Sequence, residues 1–138
     1  MRVGINAAVL SSRLAGVGTY TLSLVQALAR LGNEFEWVLL GVDPSLDSIP
    51  RGENIRLVPA RGLVGARRLF WQQFLLPRLV RQTGVEVLHC PDYFRPVSSP
   101  VPVVNTIHDL SFYRPFFPIH KRVLKRSVAR LAMTRSAE

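Results

Sequence analysis

Four almost uninterrupted apolar runs constrain this chain more than any other feature. They are RVGINA (Arg2 to Ala7), EWVLLGV (Glu36 to Val42), VEVLHC (Val85 to Cys90) and VPVVNTIH (Val101 to His108). Short apolar runs without strict polar alternation are the pattern of strands covered on both faces. A shorter fifth strand is expected over Asn54 to Pro59 (NIRLVP), and Asp43-Pro44 breaks the chain after the second. Between Val17 and Leu31, Val17, Tyr20, Leu24, Leu28 and Leu31, with Val25 alongside, recur at helical spacing. Gly32 is a fitting stop just past that helix. A second helix is expected over Arg67 to Thr83, with Trp71, Phe74, Leu75, Leu79 and Val80 on or near one face. Pro77 inside it predicts a kink or restart, and Gly84 ends it. A last helix is expected from Pro118 to about Arg135, with Ile119, Val123, Leu124, Val128 and Leu131 inward.

The resulting order is β-α-β-β-α-β-β-α. Helices separate strands 1 and 2, and strands 3 and 4. Right-handed crossovers then give an α/β, doubly wound, Rossmann-like parallel sheet, for which the strand order 3-2-1-4-5 is expected. The 138 residues suit one domain, and no linker, repeat or low-complexity tract divides them. Hydrophobic residues at 48% and charged residues at 20% exclude a disordered chain. The single cysteine, Cys90, excludes an internal disulfide. No window offers the ~18 consecutive apolar residues of a membrane span. The N-terminal stretch has only Arg2 as a basic flank, and Asn6, Ser11 and Ser12 interrupt it. It therefore reads as a strand and loop with no export signal, and a cytoplasmic protein is expected.

Ligands of open α/β sheets bind beyond the carboxyl ends of the strands, at the switch in strand order. Three segments fall there. The first is Gly16-Val17-Gly18-Thr19-Tyr20, opening the first helix. Its glycines admit close backbone approach, and a helix N-terminus presents N–H groups to an anion such as a diphosphate; a plain turn explains them equally well. As a dinucleotide fingerprint the segment is poor, because Tyr20 and Thr21 stand where a third glycine would fall and the glycines lie well beyond strand 1. The second segment is His89-Cys90-Pro91-Asp92, where His89 is placed to bond a substrate hydroxyl and Cys90 reads as a small buried residue. The third is His108-Asp109: a histidine beside a carboxylate suits a sugar hydroxyl or a phosphate, or else simply caps its strand. Three histidines and one cysteine without ligand spacing do not make a zinc site, so no metal is expected. Gly16, Gly18, His89 and His108 are expected on one rim of the sheet.

Taken in order, RVGINA, GVGTY, WQQFLLPRL, VLHCPDYF and VVNTIHDLSFYRPFFP resemble the N-terminal half of a group 1 (family 4 type) glycosyltransferase of the GT-B fold. The likeness spans essentially the whole chain. Asn6 and Ala8 stand where that family often has an acidic residue and an arginine, and Thr19 where an arginine often follows the glycines. The resemblance implies retaining, mannosyltransferase-like transfer of a sugar from a nucleotide-diphosphate donor to a hydroxyl of a sugar or lipid-linked acceptor, with no cofactor and no metal. It implies His108 as the catalytic residue beside the transferred sugar, and Gly16 and Gly18 near the donor diphosphate. His89, Pro91, Asp92, Tyr93 and Asp109 would then line the acceptor side. It also implies a C-terminal donor-binding domain. No two glutamates here stand seven residues apart, the spacing of that domain's donor-site pair, so the chain reads as a truncated N-terminal, acceptor-side domain, inactive alone.

The net charge is +9, and 16 of the 18 basic residues are arginine. Such a balance suits phosphorylated ligands, anionic membrane or nucleic acid. Nucleic acid is not expected, because the basic last helix (Lys121, Arg122, Lys125, Arg126, Arg130, Arg135) carries no aromatic residue among its charges. That helix reads either as core-packed with a solvated basic face or as a peripheral contact with an anionic membrane, on its inner face. The rival readings of the whole chain are a nucleotide-binding oxidoreductase or epimerase domain, a basic binding module, and an independent lectin-like or regulatory half-domain.

Overall fold

The structure, a computed structural model of the 138-residue chain, describes residues 1–10, 15–31, 34–92 and 94–109. The elements are β1 (Arg2–Asn6), α1 (Gly16–Leu28), β2 (Glu36–Val42), β3 (Ile55–Pro59), α2 (Gly65–Phe70), a π-helical stretch (Trp71–Leu75), α3 (Leu76–Thr83), β4 (Val87–Cys90) and β5 (Val103–Asn105). The five strands form one sheet in the order β3-β2-β1-β4-β5, and every neighbouring pair is parallel. This is the expected doubly wound α/β arrangement. The expected last helix, 118–135, lies outside the described residues, as do Gly32 and Tyr93.

Successive strand residues point to opposite faces, so each continuous apolar run feeds two cores. Val38, Leu40, Leu88 and Cys90 pack with Trp71, Leu76 and Val80 on one face. Ile5, Trp37, Leu39 and Val42 pack with Val25 and Ile49 on the other. Burial on both faces is why the runs lack polar alternation. Near the end of β2 the register with β3 shifts between Leu40 and Val42, and Gly41 sits there with φ 84°. A Cβ at Gly41 would lie 2.7 Å from the Trp71 ring, so the bend and the close approach both require glycine.

Several local expectations are corrected. The buried side of α1 is Gly18, Thr21 and Val25, whereas Tyr20 and Leu31 are exposed. Thr21 fits there because its hydroxyl donates back to the Val17 carbonyl at 2.7 Å. In the second helical region Phe74 and Leu75 are exposed, and Trp71, Gln72, Leu76 and Val80 are buried instead. The cause is the π-helical stretch. The Leu76 N–H bonds the Trp71 carbonyl, five residues back, so the inward face moves one residue along. Pro77 supplies the reason: it has no N–H for the carbonyl four residues back and clashes with it, and the wider turn relieves both. The restart expected near Pro77 is found at Leu76, with the proline in the first turn of α3. Gly84 closes α3 in the left-handed region at φ 67°. Strand β5 is shorter than expected, so His108 lies in the segment after it; Pro102 has no N–H for a ladder, and pairing ends at Asn105.

Candidate functional site at the carboxyl rim of the sheet

All strands run the same way, so the segments after β1, β4 and β5 leave from one rim. There α1 begins directly with the glycine pair. Gly16 is its first residue and Gly18, buried, its third. The N-cap is Ala15, whose methyl offers the helix no side-chain cap. The first-turn N–H groups have no partner within the helix. A Cβ on Gly16 would meet open space, so Gly16 leaves room beside this turn rather than relieving a clash.

One turn along, Tyr20 brings α1 against the tail of β5. Its ring lies edge-on to His108, with centroids 4.6 Å apart and planes at 74°. The Nε2 of His108 is 2.8 Å from the Pro91 carbonyl. A carbonyl only accepts, so Nε2 carries the hydrogen of this contact. His108 thus joins the turn after β4 to the segment after β5. It is exposed, as is Asp109 beside it.

His89 pairs in register with Ile5 on one side and Val104 on the other. Its Nε2 lies 2.9 Å from the Thr106 hydroxyl. Burial, followed by the nearby His108, pushes its pKa below the usual histidine value, which favours the neutral ring. The Cys90 thiol is pushed up to about 12, first by burial and then by the Asp92 charge, which makes it a packing residue.

Asp92 is the most heavily built member of the rim. It is 4% exposed. Its Oδ1 accepts the Phe94 N–H at 2.9 Å, Arg68 reaches its Oδ2 at 3.5 Å, and its carbonyl accepts from the Asn105 amide at 3.0 Å. Burial raises its pKa to about 6, while Arg68, the Phe94 N–H and His108 act in the opposite direction. A carboxyl that titrates close to neutral pH at the carboxyl rim of such a sheet is suited to exchanging a proton or a hydrogen bond with a hydroxyl.

The rim therefore gathers His89, Pro91, Asp92 and His108, with Gly16 and Gly18 joined to them through Tyr20. Sequence reasoning did not single out Tyr20, Arg68, Asn105 or Thr106 as members. Tyr20 had a signal, standing two residues after Gly18 at a helix start; the other three had none, because their partners are distant in sequence. Among the described residues no group of histidine, cysteine and carboxylate side chains could hold a metal ion. No helix among them is long and apolar enough to cross a membrane.

The fold and rim define an α/β domain of the doubly wound class, with polar side chains gathered where strand order reverses. The family model of Glycosyltransferase Family 4 matches residues 14–137, and the chain belongs to that family. No curated protein and no solved structure matches it.

Proposed function

We propose that this chain is the acceptor-side, N-terminal domain of a retaining glycosyltransferase of the GT-B fold. In this reading it works with a donor-binding domain and moves a sugar from a nucleotide-diphosphate donor to a hydroxyl of a sugar or lipid-linked acceptor, in the cytoplasm at the inner face of a membrane. The observation that carries the reading is the meeting of His108, the Pro91–Asp92 turn and the glycine-started helix α1 at one rim of a family 4 domain.

The roles follow from chemistry. The first-turn amides around Gly16 and Gly18 stabilise negative charge on the donor diphosphate as the bond from the anomeric carbon to the phosphate oxygen breaks. His108, with Nε2 held by the Pro91 carbonyl, presents its other edge to the transferred sugar. Asp92, Pro91, His89, Tyr93 and Asp109 orient the acceptor. Its oxygen bonds the anomeric carbon, and its proton leaves with the diphosphate. Holding both reactants in near-attack geometry is the main contribution of such a cleft, so the domain alone is inactive.

The test mixes the chain with the donor-binding domain of a family 4 enzyme, nucleotide sugars and candidate acceptors. Transfer is expected only in the mixture, and His108→Ala should lower kcat by about 10²-fold or more with the fold unchanged by circular dichroism. Transfer by the isolated chain, or an unaffected His108→Ala variant, would overturn the assignment.

A further inference from the structure

The helical region after β3 carries an outward stripe that the candidate site does not use. Arg67, Phe70, Phe74, Arg78 and Arg81 follow one another at spacings of three or four, and all five are exposed. The two phenylalanines are 60% and 57% exposed, and their ring centroids lie 4.8 Å apart with the planes tilted by 37°. Val64 and Leu75 extend the apolar surface beside them. Alongside lies a groove of about 590 Å³ that includes Arg61, Leu63, Arg67, Phe70, Trp71 and Leu75. Six arginines and no acidic residue lie between Glu53 and Glu86. The π-helical stretch creates this surface, because it turns Phe74 and Leu75 outward and buries Leu76 in their place.

Charge selects the occupant. A second copy of the chain would bring arginines against arginines across a two-fold axis, which disfavours self-association. An anionic partner is favoured, and the apolar part of the surface decides its kind. Phe70 and Phe74 lie against each other, and their neighbours Val64 and Leu75 are aliphatic, so the patch is one continuous hydrocarbon-like surface rather than a set of separated platforms for stacking bases. Arginines at both ends of an aromatic and aliphatic stripe match the interface of an anionic bilayer, with phosphates at the arginines and acyl chains at the rings.

We propose that this stripe, Val64 to Arg81 with Arg61, is a peripheral docking surface for an anionic lipid bilayer. It gives the membrane-side reading above a specific surface, and on that reading alone it rests. The groove starts just after β3 ends, on the rim that carries Asp92 and His108, and Arg68 of the same helix reaches Asp92. A hydroxyl borne on a lipid held there would meet the acceptor side of the candidate site.

The test is co-sedimentation of the full chain with vesicles of phosphatidylglycerol and phosphatidylcholine in varied ratio and salt, read without any sugar transfer. Binding should rise with anionic content and weaken with salt. Arg61→Gln with Arg67→Gln should weaken it about 25-fold, fivefold per charge. Phe70→Ser with Phe74→Ser should weaken it at least tenfold at constant charge, and both rings are already exposed, so the fold should be retained. Three outcomes overturn the proposal: equal binding to neutral vesicles, no effect of the phenylalanine pair, or preference for single-stranded RNA over vesicles. Each leaves the transferase reading standing, because that reading is tested by turnover in the mixture of domains.

Discussion

Replacing Asp92 with asparagine should stabilise the chain at neutral pH and destabilise it slightly in acid. The carboxyl is buried, and its pKa in the fold is about 6 against an ordinary 3.8. The folded chain therefore holds this proton more tightly than the unfolded chain does. The stability linked to the group is complete below about pH 4 and is lost as pH rises through about 6. At roughly 1.36 kcal/mol per pH unit, the gap between the two values is a penalty of about 3 kcal/mol at pH 7. That figure already includes the attraction of Arg68, which is 3.5 Å away and partly solvated. An Asp92→Asn side chain keeps an oxygen for the Phe94 N–H and carries no charge, so the penalty disappears. Its amide hydrogens then face the Arg68 guanidinium, which returns about 1–2 kcal/mol as an unsatisfied donor pair. The expected net gain at pH 7 is about 1–2 kcal/mol; below about pH 4, where the penalty is absent, the cost at Arg68 is left as a net loss of about 1–2 kcal/mol. Urea denaturation of both proteins across that range measures it, with the difference between the two curves as the readout. Curves that stay parallel from acid to neutral pH would refute the buried-carboxylate argument. A net gain on removing Asp92 would also mark it as a residue retained for the site rather than for the fold.

Gly41→Ala should cost about 2–5 kcal/mol by urea midpoint, from a left-handed backbone of about 1–2 and a clash with Trp71 of about 1–3. A loss below about 0.5 kcal/mol would mean that the turn and the indole can move apart at little cost. Cys90, fully buried with its thiol near 12, should react with a thiol reagent only as fast as the chain unfolds. A rapid reaction in the folded state would contradict that placement.

The alternation of both-face apolar runs with helical segments was enough to read the fold. A strand buried on two faces needs covering on both, and a right-handed crossover leaves few ways to supply it. The order β3-β2-β1-β4-β5 and the rim carrying Gly18, His89 and His108 were legible for that reason. Helix faces were less legible. Apolar spacing put Tyr20 inward in α1, yet Thr21 is buried there because a hydroxyl can satisfy itself on its own helix. Spacing also put Phe74 and Leu75 inward, and one π-helical turn before Pro77 moved that face to Leu76.

The sequence by itself determined the class of fold, the direction of its strands and the rim where its polar motifs gather, because these follow from local periodicity and chain handedness. Tertiary structure alone decided that Arg68 reaches Asp92 across 24 positions, that Tyr20 meets His108, and that Gly41 turns left-handed beneath Trp71. Such pairings depend on where two distant segments come to rest against each other. Periodicity records which side of an element is buried, and carries no address for the partner that buries it.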